Sequence, residues 1–229
     1  MNELTNSIIV DFPLRGEWWA CNTPANVIPS HGTDMLGQRY AYDFVMVDWV
    51  RKGRPFYHGS SLQYYTLGVT LKECYGWGRE VYAHCDGRVI TVKDVIIERN
   101  RVHLVRDLSI ALKNAFLFNP AKHDIQTVVG NYVIIMCGEQ IYALFAHLQT
   151  DSIEVVEGQY VKKGDILGRV GHSGNSTAPH LHFQLMDSAD MSIAKGIPCA
   201  FSNYEIFDNG KWLSVKDGVP SNKDRLRLE

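Results

Sequence analysis

The sequence predicts a mainly β fold, an antiparallel β-sandwich or barrel that carries a short helical insertion. Short runs of β-branched and aromatic residues recur along the chain, and turn-forming residues separate them at close intervals. Hydrophobic residues make up 45% and charged residues 21% of the sequence, as in a globular domain with a buried core. The net charge of −2 gives the chain no general attraction to nucleic acid or to an anionic membrane.

Four segments have the composition of strands, namely residues 40–47, 80–92, 132–137 and 141–145. The dipeptide Asp86-Gly87 predicts a hairpin turn inside the second segment, because it tolerates the positive φ angles of that turn. Residues 137–140 predict a second hairpin between the last two segments. Glycines then divide residues 155–183 into very short strands.

Two segments interrupt the strand pattern. Residues 51–79 are rich in glycine and tyrosine without a clear period, and we interpret them as a loop. Residues 93–129 contain the best helix candidate, near residues 108–118, which ends before Asn119-Pro120. Its apolar positions have helical spacing: Leu108, Ala111, Leu112 and Ala115. We expect one domain over residues 1–229, with residues 202–229 as a polar, loosely packed tail.

The cysteines and the N-terminus indicate a compartment. The chain has five cysteines, none of them in a C-x-x-C pair, which argues against a thiolate zinc ribbon. We therefore expect reduced thiols that are buried as small hydrophobic side chains. The N-terminus lacks the features of a signal peptide, and no window approaches the roughly 20 apolar residues of a membrane span. These patterns predict a cytoplasmic protein, or an extracellular or cell-wall protein if a leader was removed.

The most informative local pattern is His180-Leu181-His182, which follows a glycine-rich segment, residues 171–179. Side chains at positions i and i+2 of a strand lie on the same face, so the two imidazoles would be neighbours. Two surface histidines on a solvated strand are the alternative. Because Leu181 and Phe183 alternate with the histidines as core-facing residues would, we favour a site in which one histidine binds a metal and the other acts on the substrate.

Two more segments carry candidate site residues. Asp43 lies between aromatic residues in an apolar strand, and a buried carboxylate needs a strong partner such as a metal or a cation. An exposed aspartate on the outer strand face is the alternative interpretation. His147 ends another apolar strand, a position where an isolated histidine is more often structural than catalytic. His31 lies in a short polar segment upstream of Asp43.

These motifs together resemble the lysostaphin/LytM-type zinc metallopeptidases, a family of peptidoglycan endopeptidases with the duplicated hybrid motif fold, a barrel-sandwich hybrid. The segments that carry the resemblance most strongly are residues 142–148, 155–168, 173–176 and 179–183. Residues 40–44 are similar to the strand that carries the family's metal-binding aspartate, and residues 80–92 to the hairpin that follows it. The resemblance implies a core of about residues 29–48, 80–92 and 130–187, with residues 51–79 and 93–129 as insertions that rim or cover the cleft.

The resemblance also implies site residues. It assigns Zn²⁺ to His31, Asp43 and His182, and catalytic roles to His147 and His180. One departure is clear, because the usual family motif places its first histidine four residues before its aspartate, whereas His31 lies twelve residues before Asp43. Two further carboxylates, Asp34 and Asp48, lie close enough in sequence to compete with Asp43 for this role.

The implied function is hydrolysis of peptide bonds, in particular peptidoglycan crosslinks, by a metal-activated water. A peptide or peptidoglycan substrate is then the expected partner, with no nucleic acid and no membrane span. One alternative is a non-catalytic, metallopeptidase-like interaction module. A phosphocarrier of the same fold is another, although it needs two facing histidines and no aspartate ligand. A biotinyl or lipoyl carrier needs a lysine at a hairpin tip beside methionine, and Lys162-Lys163 lack that setting.

Overall fold

The computed structural model describes residues 3–120 and 122–228, so that Met1, Asn2, Ala121 and Glu229 lie outside the described residues. The structure is rich in strands, which we number in chain order. The strands are β1 Ile8–Val10, β2 Gly16–Asn22, β3 Tyr42–Val45, β4 Val69–Thr70, β5 Glu80–Tyr82, β6 Gly87–Lys93, β7 Arg101–Val102, β8 Asn131–Gly138, β9 Ile141–Leu148, β10 Tyr160–Val161, β11 Ile166–Arg169, β12 His180–Met186, β13 Gly196–Ile197, β14 Cys199–Asp208, β15 Lys211–Gly218 and β16 Leu226–Leu228.

Helices are few. The α-helices are α1 Ser61–Thr66, α2 Leu104–Leu117 and α3 Gln126–Val129, and two short 3₁₀ helices span Met35–Tyr40 and Leu71–Glu73. The prediction of a helix near residues 108–118 is therefore confirmed, although α2 begins earlier than its apolar spacing suggested. The side chain of Ala115, one of the residues behind that prediction, lies outside the described part of the structure. Helix α1 lies in the segment that we expected to be a loop.

Most strands belong to one sheet. Its main path has the order β1-β14-β16-β2-β3-β12-β9-β8-β6-β10, with β13 beside β12 and β15 beside β14. The pairs are antiparallel except for β1 with β14. Strand β5 pairs instead with β11, and β4 with β7. The prediction of a mainly β, antiparallel fold is confirmed, and the described strands do not close into a barrel.

Strand β12 at the centre of this sheet separates the core from the face that carries the site. Leu181 and Phe183 are fully buried in the main hydrophobic core. The alternate positions His180, His182 and Gln184 line a cavity on the opposite face. This is the period of two that a strand imposes on its side chains, and it confirms the same-face geometry predicted for the H-x-H pair.

The hairpin predicted at Asp86-Gly87 is wrong. Strands β5 and β6 do not pair with each other, because β5 pairs with β11 and β6 pairs with β8 and β10. Gly87 starts β6, and a Cβ at this position would lie 2.6 Å from the carbonyl oxygen of Met136. The glycine is therefore required for close approach to β8, not for a turn with positive φ.

The hairpin predicted at residues 137–140 is confirmed: β8 and β9 pair up to Gly138 and Ile141, and Gln140 has the positive φ of 54° that such a turn needs.

The loose tail predicted for residues 202–229 is wrong over its described part. Strands β14 and β15 form a long hairpin there, and Leu226 and Leu228 of β16 are buried in the main core. Polar residues that suggested a tail, such as Lys211, Lys216 and Asp217, are exposed positions of this hairpin.

In the described residues, no helix has the length and apolar character needed to cross a membrane. The compartment of the protein stays a prediction.

Candidate active site

The pairing of β3 with β12 creates the centre of the site. Asp43 on β3 lies directly opposite His182 on β12, so their side chains project from the same face of the sheet. The Asp43 Oδ1 atom lies 2.9 Å from Nδ1 of His182, and its Oδ2 atom lies 2.9 Å from Nε2 of His31. The donor atoms of these three residues all lie within 4.8 Å of one another. The structure thus brings together the three residues that the resemblance assigns to the metal.

A hydrogen bond on the side of His31 that faces away from Asp43 fixes the tautomer of its ring. The Ser30 hydroxyl donates to the carbonyl oxygen of Ala41 at 2.7 Å. Its oxygen can therefore accept from Nδ1–H of His31, which lies 3.0 Å away. The proton of the neutral imidazole then sits on Nδ1, and the lone pair of Nε2 points at Asp43.

Gln184 fixes His182 in the same way. The Gln184 amide nitrogen donates to the carbonyl oxygen of Leu36 at 2.7 Å, which orients its Oε1 atom towards Nε2 of His182 at 2.8 Å. A neutral His182 then carries its proton on Nε2, and the lone pair of Nδ1 points at Asp43.

Two imidazole lone pairs and one carboxylate therefore converge. Asp43 is only 7% exposed, and its carboxylate accepts a hydrogen bond from the uncharged side-chain amide of Asn22, 2.7 Å from Oδ2. A buried set of acceptors of this kind requires a positive charge between its members, supplied either by protons or by a metal ion. Two histidines and one carboxylate are also the donor set of a common class of catalytic zinc sites. The residues present therefore fit a divalent metal.

The site shifts the protonation of its own groups. Burial alone would raise the pKa of Asp43, but the charges of His31 and His180 and the hydrogen bonds around it hold that pKa well below its usual range. Burial would lower the pKa of His180, yet the nearby Asp43 carboxylate raises it. The pKa of His147 falls well below its usual value, because the ring is buried and lies near His180 and His182.

His147 and His180, which the resemblance does not assign to the metal, lie side by side next to this centre. The ring centroids of His147 and His180 are 4.6 Å apart. His147 donates from Nδ1 to the carbonyl oxygen of Ser173 at 2.9 Å, and His180 donates from Nδ1 to the carbonyl oxygen of Ala178 at 2.7 Å. In both rings Nε2 is therefore the nitrogen that remains for chemistry, and that of His180 lies 3.5 Å from Oδ1 of Asp43. All five predicted site residues line one cavity of about 150 Å³.

A buried network from residues 93–129 supports the loop that precedes His180. Ser176 lies between His172 and His180, with its Oγ atom 3.0 Å and 3.2 Å from their Nδ1 atoms. Arg99 donates to the carbonyl oxygens of Gly174 and Ser176 at 2.8 Å and 2.7 Å, and Asp107 lies 3.1 Å from Nε of Arg99. This segment therefore fixes the loop from behind.

The same segment also reaches the cavity, because Val128 and Val129 line it. None of the described cavity-lining residues comes from residues 51–79. The two rival carboxylates lie outside the site: Asp34 pairs with Arg39 at 2.8 Å, and Asp48 accepts backbone N–H groups of Val50 and Arg51.

The residues that support the site were not predicted from the sequence. Gln184 could have been found, because it continues the alternation of His180 and His182 on the same strand face. Asn22, Ser30 and His172 reach the site through turns and strand pairings that no local pattern indicates. Asp107 looks in the sequence like an ordinary helix residue.

Comparison with known proteins confirms the resemblance. Residues 120–193 match the profile of Peptidase family M23. The chain is 40% identical over 57 residues to the peptidoglycan DD-endopeptidase ShyA of Vibrio cholerae, an alignment that covers 25% of this chain and 13% of that protein. It is 52% identical over 42 residues to lysostaphin of Staphylococcus simulans, covering 18% of this chain and 8% of that protein.

The matched segments thus span well under a fifth of the length of these relatives. Among solved structures, the catalytic domain of the antimicrobial peptidase lysostaphin from Staphylococcus simulans aligns with 80% of this chain and 88% of that chain, at 19% identity and a TM-score of 0.39.

Proposed function

We propose that this chain, in which residues 120–193 match Peptidase family M23, is a zinc-dependent endopeptidase. In this proposal His31, Asp43 and His182 hold the metal, and His147 and His180 are the catalytic histidines. The observation that carries the proposal is the convergence of the His31 Nε2 lone pair, the His182 Nδ1 lone pair and the Asp43 carboxylate, with both remaining histidines beside them.

The proposed chemistry is hydrolysis of a peptide bond by water. A zinc ion bound at three protein ligands with an open position lowers the pKa of water and polarises a carbonyl group. His180 keeps its proton on Nδ1 against the Ala178 carbonyl, so its Nε2 atom can accept a proton from the attacking water. His147 donates its Nδ1 proton in a hydrogen bond to the Ser173 carbonyl, so its Nε2 atom is likewise available to the reacting groups.

The proposed substrate is a peptide crosslink of peptidoglycan. Support comes from the match of residues 120–193, which include His147, His180 and His182, to Peptidase family M23. The similarity to a peptidoglycan DD-endopeptidase and to lysostaphin also supports it. The candidate substrates are glycine-rich and D-alanyl crosslinks.

Hydrolysis of purified muropeptides tests the proposal. The wild-type protein should contain zinc, should cleave a glycine-rich or a D-alanyl crosslink, and should lose this activity with a chelator and regain it with Zn²⁺. Product masses locate the scissile bond. If zinc-loaded wild-type protein cleaves neither crosslink, the proposal is wrong and the non-catalytic interaction module becomes the better description.

A further inference from the structure

Three metal-ligating side chains that the active site does not use lie together on the other side of the sheet. His84 and Cys85 lie in the loop after β5, and Cys137 lies on β8. The donor atoms of the three residues are all within 4.8 Å of one another. The His84 ring packs against Phe145 and Phe183, with centroid distances of 5.7 and 5.3 Å. Since Phe183 points away from the cavity that His182 lines, the sheet separates this cluster from the active site.

Hydrogen bonding does not account for the position of His84. The residue is only 2% exposed, and Nδ1 of its ring is buried without a hydrogen-bond partner among the described residues. The ring's hydrogen-bond contacts are with sulfur: Nε2 lies 3.3 Å from Sγ of Cys137, and the Cys85 thiol also hydrogen-bonds with His84. Thiols form only weak hydrogen bonds. Burying a polar ring with so little compensation is costly, which indicates a stronger interaction at this place.

We propose that His84, Cys85 and Cys137 form a second metal site, selective for a thiolate-preferring d¹⁰ cation of the Zn²⁺ class. Thiolate and imidazole donors are the set that zinc favours over hard cations such as Mg²⁺. Tetrahedral zinc with ordinary Zn–S and Zn–N bonds holds its sulfur and nitrogen ligands about 3.6 Å apart. The 3.3 Å between Cys137 Sγ and His84 Nε2 is already close to that separation.

Cysteine binds a metal as the thiolate, so metal binding at Cys85 and Cys137 would release protons from both thiols.

The surroundings leave room for an ion and one more ligand. His84, Cys85 and Cys137 border a cavity of about 270 Å³ that Asp11 and Lys163 also line. Asp11 and Lys163 pair with each other at 2.7 Å, so neither is an unpaired charge there. A metal here would link the loop after β5 to β8, and β5 belongs to the small sheet with β11. Binding would therefore stabilise the folded protein by joining the two sheets, and this role does not depend on peptidase activity.

Cobalt titration of the reduced, metal-free protein tests this site without any activity assay. Sulfur-to-cobalt charge-transfer absorption reports only thiolate ligands, whereas the donors at the active site are nitrogen and oxygen. We expect this absorption in the wild type and in His182→Ala. It should disappear in Cys85→Ser and Cys137→Ser and persist in the matched control Cys21→Ser, which changes a thiol outside the cluster.

A second measurement uses the wild type alone, so that folding of the variants cannot obscure the result. Zn²⁺ should slow alkylation of Cys85 and Cys137 at least tenfold and should leave the rate at Cys21 unchanged. Absence of the charge-transfer absorption in fully reduced wild type overturns the proposal. The proposal is also overturned if Zn²⁺ leaves the alkylation rates of Cys85 and Cys137 unchanged, as it should leave that of Cys21.

Discussion

The imidazole rings of His147 and His180 face each other, with their centroids 4.6 Å apart, although regular strand geometry would point His147 to the other side of the sheet. Ala146 lines the active-site cavity, so the next side chain should project into the core. His147 instead has a φ of +61°, and the pairing of β8 with β9 shifts register at this end. The left-handed backbone turns the ring back to the site face. Such strain in a residue other than glycine is typical of functional positions.

Replacing His147 tests both its catalytic role and this strain. His147→Ala should retain zinc but reduce muropeptide hydrolysis by roughly 10²–10⁴-fold, the usual contribution of a positioned acid–base group. His147→Gly should be more stable than His147→Ala by about 1 kcal/mol in urea unfolding, because glycine adopts positive φ without a steric cost. The control His123→Ala, at an exposed histidine outside the site, should change neither muropeptide hydrolysis nor stability in urea unfolding. If the alanine variant matches wild-type turnover, His147 is not a catalytic group.

Gln184 should set the metal affinity through His182. Its Oε1 atom holds the Nε2 proton of His182, and outer partners of this kind typically contribute 10–100-fold in metal affinity. We expect Gln184→Ala to weaken zinc binding by about that factor in competition with a chelator. Equal affinities of wild type and Gln184→Ala would contradict this role.

Asp107 should stabilise the fold in a pH-dependent manner. Its side chain is 1% exposed. Burial alone would raise its pKa, but hydrogen bonds from His172, Arg106 and the His103 N–H hold the pKa well below the usual range. Because the folded pKa lies below the unfolded value, the stabilisation is complete above the unfolded pKa of about 4 and is lost as pH falls towards the folded pKa.

Urea unfolding of Asp107→Asn measures this contribution. We expect a loss of about 3 kcal/mol at pH 7, as for removal of one member of a buried ion pair, and a smaller difference from wild type at pH 3. The exposed control Asp208→Asn should lie within about 0.5 kcal/mol of wild type at both pH values. A difference for Asp107→Asn that grows below pH 4 would show that the sign of the pKa shift is wrong.

Local patterns predicted the parts of the molecule that depend on local geometry. The alternation of His180 and His182 with Leu181 and Phe183 is a property of any half-buried strand, and the structure confirms it. The position of Asp43 opposite His182 came from the motif resemblance, because the register between two strands distant in sequence follows from the whole sheet. The 3.6-residue spacing of α2 was visible for the same reason as the strand alternation.

The errors have a common cause, which is that tertiary contacts decided what a local pattern left ambiguous. Gly87 resembles a turn glycine but is required for contact between β6 and β8. Residues 202–228 resemble a polar tail because much of the β14–β15 hairpin is exposed and polar, while the contacts of β14 and β16 with the main core leave no local pattern. The unusual φ of His147 leaves no trace in the sequence. The grouping of His84 and Cys85 with Cys137 also leaves no trace in the sequence, since the first two lie in the loop after β5 and Cys137 lies on β8.

The measurement that tests the central claim most directly is the zinc content of His182→Ala and His180→Ala. Both should be prepared in a Cys85→Ser/Cys137→Ser background, so that each count refers to the active site alone. The His182 variant should lose its zinc, because two remaining ligands do not hold a catalytic ion. The His180 variant should keep about one zinc per chain while hydrolysis falls. Loss of zinc from the His180 variant, with zinc retained in the His182 variant, would contradict the assignment and exchange the two roles.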